Sequence, residues 1–136
     1  MKALLVGLLS LLPLLGLAQG SSYQLSTHIL DISSGSPAPQ VAVRLHKYEP
    51  GSKTWTLVAE KKTDSAGRIA DFLPAGGAAG NPGVYKLTFL TQPYFAGKQQ
   101  QSFYPYIDVV FEIKDGAHYH VPITLSPYGY STYRGS

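Results

Sequence analysis

The sequence contains no cysteine among its 136 residues. This absence excludes disulfide bonds, thiol nucleophiles, thiolate metal sites and a lipid-modified N-terminal cysteine. A folded domain of this composition therefore takes its stability from its hydrophobic core, together with any contacts between subunits, rather than from covalent cross-links.

Charge is scarce as well. Asp, Glu, Lys and Arg make up only 14% of the chain, and the formal net charge at pH 7 is +3. The basic residues are scattered, and the longest run of them is Lys61–Lys62. Because a nucleic-acid-binding surface needs a clustered basic stripe, the sequence predicts no nucleic-acid partner.

Several familiar catalytic motifs are missing too. The chain has no Gly-x-Ser-x-Gly elbow, no phosphate-binding loop and no His-Glu-x-x-His helix. With four histidines, eight acidic residues and one tryptophan, the set of side chains that could carry chemistry is small.

The N-terminus has the pattern of an export signal. Lys2 is the only charged residue in the first two dozen, residues 3–17 are almost wholly apolar, and small residues follow them. The apolar run is shorter than the roughly 20 residues of a membrane span and is interrupted by Pro13. We therefore predict a cleaved signal peptide over residues 1–20 and one domain over residues 21–136. The predicted localisation is periplasmic, with no membrane attachment after cleavage.

The rest of the chain alternates apolar and polar residues in short segments, separated by turns rich in Gly, Pro, Asp and Ser. One short helix is predicted within residues 92–101. This pattern predicts an all-β sandwich. The eight predicted strands cover residues 23–31, 41–48, 54–62, 68–72, 84–90, 107–113, 118–125 and 130–134.

Three histidines are candidates for a functional site. His118 and His120 lie two residues apart in a predicted strand and therefore project from the same face, whereas His28 lies in the first predicted strand. One histidine on a strand is usually structural, but two neighbouring imidazoles are awkward merely as packing, so a structural and a functional role remain balanced alternatives. The pair could also bind zinc if His28 were a third ligand. His46 is predicted to be solvated and is given no role.

Arg68 and the C-terminal segment complete the set of candidates. Arg68 follows a turn, and its position alone indicates a surface arginine. Residues 126–136 are dense in hydroxyl groups and tyrosine, although chain termini are ordinarily disordered unless they are tied down. We expect this tail to pack against another surface, such as a second subunit. The residues alone name no substrate.

Four segments of the sequence resemble one known family. They are Leu-Ser-Thr-His-Ile-Leu-Asp at 25–31, Gly-Arg at 67–68, His-Tyr-His-Val-Pro at 118–122, and the stretch from Leu125 to the terminal Tyr-Arg-Gly-Ser. In this order they are similar to the 5-hydroxyisourate hydrolases, a transthyretin-like family of urate breakdown. The terminal Tyr-Arg-Gly-Ser is the specific element, since the hormone-carrier transthyretins share the fold but lack it. The export signal is a departure, because many members of the family are intracellular.

The resemblance implies a fold, an assembly and an activity. The implied fold is a transthyretin-like sandwich of two four-stranded sheets with one short helix, assembled as a homotetramer (a dimer of dimers) with active sites at the dimer–dimer interface. The implied reaction is hydrolysis of 5-hydroxyisourate to 2-oxo-4-hydroxy-4-carboxy-5-ureidoimidazoline, without a metal or organic cofactor. The alternatives are a transthyretin-like small-ligand carrier, whose channel would be apolar, and a structural β-domain.

The resemblance also implies the roles of individual residues. His120, assisted by His28, would take a proton from the attacking water, and the guanidinium of Arg68 would suit the oxyanion and the substrate carbonyls. The implied catalytic residues are His28, Arg68 and His120. The implied substrate-binding residues are His28, Arg68, Ser131, Tyr133, Arg134, Gly135 and Ser136, with Ser131 and Tyr133 expected on one face of the last strand.

Overall fold

The computed structural model describes residues 22–136, so the predicted signal peptide over residues 1–20 lies outside the described residues. Within the described range, no helix is long and apolar enough to cross a membrane. The strands are β1 (Tyr23–Asp31), β2 (Ser36–Pro37), β3 (Ala42–Glu49), β4 (Thr54–Lys62), β5 (Arg68–Pro74), β6 (Gly83–Phe89), β7 (Ile107–Ile113), β8 (Tyr119–His120), β9 (Ile123–Ser126) and β10 (Gly129–Thr132). A 3-10 turn spans Gly77–Ala79, and the helix α1 spans Gln92–Gly97.

The first sheet is organised around β1. On one side, β1 runs parallel to β8 and β9, and β10 pairs with β9 at the sheet edge. On its other side, β1 runs antiparallel to β5 and to the very short β2. The sheet therefore has six strands rather than the predicted four, because two of its four positions are each shared by two short segments.

The predicted strand over residues 118–125 is one of these divided positions. It is interrupted at Val121 and Pro122, so that β8 and β9 pair separately with β1. The interruption has a physical reason: proline has no backbone N–H to donate to a neighbouring strand.

The second sheet has the predicted four strands, in the order β4-β3-β6-β7 and entirely antiparallel. Its apolar face packs against that of the first sheet. Alternate residues of the strands point into the space between them, which is why Leu25, Ile29, Leu45 and Leu87 are completely buried. Burial of each such side chain stabilises the fold by roughly 1.5–3 kcal/mol.

Helix α1 is anchored by a buried side chain and by hydrogen bonds to Asp31. Pro93 lies in its first turn, where a missing N–H costs nothing, and Phe95 is buried in the core. Tyr94 and Lys98 each donate a hydrogen bond to the buried carboxylate of Asp31, at 2.8 Å and 2.7 Å. The helix is thereby held at the C-terminal end of β1.

Candidate active site

The outward face of β1 carries Ser26 and His28, which alternate with the buried residues of the strand. His28 lies directly opposite Arg68 in the antiparallel pairing of β1 with β5. On the other side of β1, Ser26 lies opposite His120 in the parallel pairing with β8. Three adjacent strands therefore bring His28, Arg68 and His120 to one region of the same sheet.

A tight turn delivers Arg68 to this position. Gly67, immediately before it, has a φ of +71°, and a Cβ at this position would lie 2.7 Å from the backbone oxygen of Ile29. The carboxylate of Asp64 accepts hydrogen bonds from the backbone N–H groups of Ala66 and Arg68, both at 2.9 Å. Glycine and aspartate thus fix the turn that places the arginine beside His28.

A hydrogen-bonded chain joins two of the histidines through Ser26. The Ser26 hydroxyl lies 2.8 Å from Nδ1 of His120 and 2.9 Å from Nε2 of His118. Nδ1 of His118 in turn lies 3.0 Å from the backbone oxygen of Tyr23. Sequence analysis assigned no role to Ser26, although its spacing of two residues from His28 places both on one face of the strand.

The surroundings favour neutral histidines. Burial lowers the pKa of His28, and the charge of Arg68 lowers it further, against opposing contributions from the backbone of Ala66 and from Asp64. Burial also lowers the pKa of His120, with Arg68, His118 and His28 acting in the same direction and the backbone of Ser26 opposing them. Both imidazoles are therefore available to accept a proton at neutral pH.

The residues of the C-terminal tail do not all lie at this site. Gly135 donates a backbone hydrogen bond to the carbonyl of His120, at 2.8 Å, and a side chain at position 135 would overlap the His120 ring. Tyr133 and Arg134 lie elsewhere: they line a cavity of about 380 Å³ beside β7. The guanidinium of Arg134 lies 4.7 Å from the ring centre of Tyr119. Within one protomer, the structure therefore brings Gly135 to the histidines but not Tyr133 or Arg134.

The remaining predicted binding residues lie at the sheet edge. The Ser131 hydroxyl is 2.6 Å from that of Thr124, on the face that also carries His28 and His120. The last strand ends at Thr132, so Tyr133 does not continue the face of Ser131 as expected. The chain leaves the strand there because Gly135 pairs with His120 instead. Ser136 is exposed at the terminus.

Two groups of the site lack partners. Neither Nε2 of His120 nor the guanidinium of Arg68 makes a hydrogen bond with any residue in the described part of the chain. A neutral imidazole and an uncommitted guanidinium are the groups required to activate water and to stabilise an oxyanion. Among residues 22–136, no group of three or more histidine, aspartate or glutamate residues is arranged so that it could hold a metal ion.

His46 differs from its predicted environment. Its side chain is half-buried, not solvated, and its Nδ1 is buried without a hydrogen-bond partner among the described residues. Burial lowers the pKa of His46, as do Lys86 and Arg44, while Asp108 opposes them. It lies on the second sheet, away from the other three histidines.

Comparisons with known proteins point to one family. The model of the HIUase/Transthyretin family matches residues 25–135. The chain is 47% identical over 125 residues to the 5-hydroxyisourate hydrolase of Salmonella typhi, an alignment that covers 91% of this chain and 88% of the relative.

Solved structures resemble the fold from both branches of that family. The 5-hydroxyisourate hydrolase of Klebsiella pneumoniae is 38% identical with a TM-score of 0.70, over 86% of this chain and 96% of its own. The transthyretin of Sparus aurata is 30% identical with a TM-score of 0.75, over 82% of this chain and 96% of its own. Because the TM-scores of 0.70 and 0.75 do not separate the hydrolase from the transthyretin, the distinction between them depends on side chains rather than on the backbone.

Proposed function

Because the chain belongs to the HIUase/Transthyretin family, we propose that it is a hydrolase that converts 5-hydroxyisourate to 2-oxo-4-hydroxy-4-carboxy-5-ureidoimidazoline in urate degradation. The observation that carries this proposal is the convergence of His28, Arg68 and His120 on one sheet face. A ligand carrier would need an apolar channel lining and has no use for two neutral imidazoles beside a free guanidinium.

The proposed mechanism assigns one task to each group. His120, assisted by His28, removes a proton from water as the water attacks a ring carbonyl of the substrate. The guanidinium of Arg68 donates hydrogen bonds to the oxyanion that develops on that carbonyl oxygen. The ring C–N bond then breaks, and the imidazolium returns its proton to the departing nitrogen. The six-membered ring opens to a carboxylate.

We also propose that the site is completed by assembly into a homotetramer. Support comes from large apolar side chains exposed on the edge strands β7 and β10 and in the segments beside them, which a monomer would leave in water. They are Phe103, Tyr106, Val110, Tyr128, Tyr130 and Tyr133, with exposures between 42% and 72%. In such an assembly, Ser131, Tyr133, Arg134, Gly135 and Ser136 would contribute to substrate binding. Sedimentation at micromolar concentration should give about four times the protomer mass, and an active monomer would contradict the assembly.

We also propose that the protein is exported to the periplasm. The order of charge, apolar run and small residues over residues 1–20 supports a cleaved signal peptide and a periplasmic domain over residues 21–136. Intact-mass analysis of the exported protein should find a mature N-terminus between Gln19 and Ser21. A full-length product retained in the membrane would contradict export.

The activity itself is tested with freshly prepared 5-hydroxyisourate, by following its disappearance with and without the protein. Turnover well above the spontaneous decay is expected. Retention of the intact substrate in a stoichiometric complex would instead favour the carrier.

A further inference from the structure

The chain of hydrogen bonds through Ser26 has a direction that its endpoint determines. The endpoint is the backbone oxygen of Tyr23, which can only accept a hydrogen bond, so Nδ1 of His118 must carry the proton in that contact. In a neutral His118 the other ring nitrogen, Nε2, is then an acceptor.

The next two contacts follow from the first. Since Nε2 of His118 accepts, the Ser26 hydroxyl donates its single proton to it. The same oxygen is then left with lone pairs only, and it must accept from Nδ1 of His120, 2.8 Å away. With both histidines neutral, His120 therefore carries its proton on Nδ1.

We propose that Ser26 and His118 form a tautomer relay that holds neutral His120 in its Nδ1–H form, leaving the Nε2 lone pair free to act as the base. Both are positioning residues, acting on the reaction through His120. The inference rests on the proposed function, because a fixed tautomer matters to catalysis only if His120 accepts a proton from water.

The surroundings of His120 support this assignment. Nε2 has no partner within the described range of the chain, whereas Nδ1 is engaged. Without the relay, His120 could exchange its tautomers, and the fraction with the proton on Nε2 would be unable to take a proton from water at that nitrogen. His28 has no place in the relay, because the hydrogen bonds of the Ser26 hydroxyl go to His118 and His120.

The relay is tested by measuring directly which tautomer His120 adopts. Nitrogen-15 NMR of the labelled full-length mature protein distinguishes a protonated from an unprotonated ring nitrogen at each histidine. His120 should show a protonated Nδ1 in the wild type and an increased population protonated at Nε2 in Ser26→Ala. Ser26→Thr retains the hydroxyl and should restore the wild-type pattern. A wild-type His120 protonated on Nε2, or a Ser26→Ala variant with an unchanged tautomer, would overturn the relay.

Kinetics give the functional readout. Ser26→Ala should lower kcat by about 10- to 100-fold, the usual cost of removing a partner that orients a functional imidazole, and leave KM nearly unchanged. Ser26→Thr should recover most of the rate. Ser52→Ala is the matched control, since the hydroxyl of this serine lies in an exposed turn and its partner among the described residues is Thr54; kcat of this variant should equal that of the wild type.

The two readouts separate the two proposals. Absence of 5-hydroxyisourate turnover by the wild type would remove the proposed function, while the NMR pattern would still decide the relay. A full rate in Ser26→Ala together with an active wild type would overturn the relay and leave the proposed function intact.

Discussion

The C-terminal end and the middle of β1 carry polar groups that are used in opposite ways. At one end the Asp31 side chain is fully buried, and its carboxylate accepts hydrogen bonds from Lys98, Tyr94 and Ser33. In the middle of the strand, His28 and the tautomer relay from Ser26 to His120 are only partly buried, and Nε2 of His120 lacks a partner among the described residues. The first cluster is satisfied internally and stabilises the fold. The second leaves hydrogen-bonding capacity for a substrate.

The acid–base properties differ in the same way. Burial alone would raise the pKa of Asp31, but hydrogen bonds from Lys98, Ser33 and Tyr94 outweigh it and hold this pKa well below its usual range. Around His120 no carboxylate compensates for burial, so its pKa is lowered. The protein therefore keeps a permanent charge where it needs an anchor, and a neutral base where it needs proton transfer.

The largest effect is expected from the tail. Removing Tyr133–Ser136 should abolish turnover of 5-hydroxyisourate, because Gly135 pairs with His120 and the other three residues are proposed to bind substrate. The sandwich should remain folded, since none of the four belongs to the hydrophobic core. Activity assays, circular dichroism and sedimentation on the same preparation check this. Substantial turnover by the truncated protein would remove the tail from the site.

The cluster of hydrogen bonds around Asp31 is tested by the substitution Asp31→Asn. We expect a loss of roughly 3 kcal/mol in the free energy of unfolding, near the lower end of the range for a broken buried ion pair because Lys98 keeps access to solvent. Asp108→Asn is the matched control: its pairing with Lys86 is long, at 3.9 Å, and its carboxylate is exposed, so the pair should contribute less than about 1 kcal/mol. Denaturant titration measures both. Equal effects of the two substitutions would contradict the contrast between a buried and an exposed carboxylate.

How far the sequence could predict this contrast depends on the range of each interaction. The positions of β1, β4 and β7 were predicted correctly, because alternation and turn residues are local signals. The anchoring of Asp31 could not be predicted, since its partner Lys98 lies 67 residues away. Nor could the register that sets His28 opposite Arg68, because irregularities in the β1–β5 pairing shift it.

The prediction of the site residues from the sequence is limited in the same way. The resemblance to a known family assigned His28, Arg68 and His120, and the structure brings them together on neighbouring strands. It could not reveal that Ser26 joins two imidazoles, because this depends on the parallel register of β1 with β8.

At the candidate active site, Arg68→Lys should lower kcat/KM by about tenfold. Lysine keeps the charge but loses the planar guanidinium that donates two parallel hydrogen bonds. The free energy of unfolding should change by less than about 0.5 kcal/mol, since the exposed guanidinium makes no contact that supports the described fold. Steady-state kinetics and denaturant titration on the same variant separate the two quantities. A large loss of stability would show that Arg68 belongs to the structural framework.

The smallest expected effect concerns the pH dependence of stability. As the pH is lowered, the free energy of unfolding should fall in two separate steps. The lowered pKa values of His28, His46 and His120 mean that the folded state binds fewer protons than the unfolded chain below about pH 6.5, so stability declines as the pH falls through that range. The lowered pKa of Asp31 preserves its contribution above its usual value near 3.8, and that contribution is lost only at more acidic pH. Thermal unfolding from pH 8 to 2 should show Asp31→Asn removing only the more acidic step. Loss of both steps in Asp31→Asn would contradict the assignment of one step to the histidines and the other to Asp31.

The most direct test of the central claim is the rate of 5-hydroxyisourate hydrolysis by His120→Asn, measured beside the wild type and His46→Asn. If neutral His120 is the base, kcat should fall by about 10²–10⁴, the usual contribution of general acid–base catalysis. His46→Asn, on the other sheet, should retain the wild-type rate, and circular dichroism and sedimentation should show that both variants are folded and assembled alike. A His120→Asn variant that is folded, assembled and as active as the wild type would contradict the account.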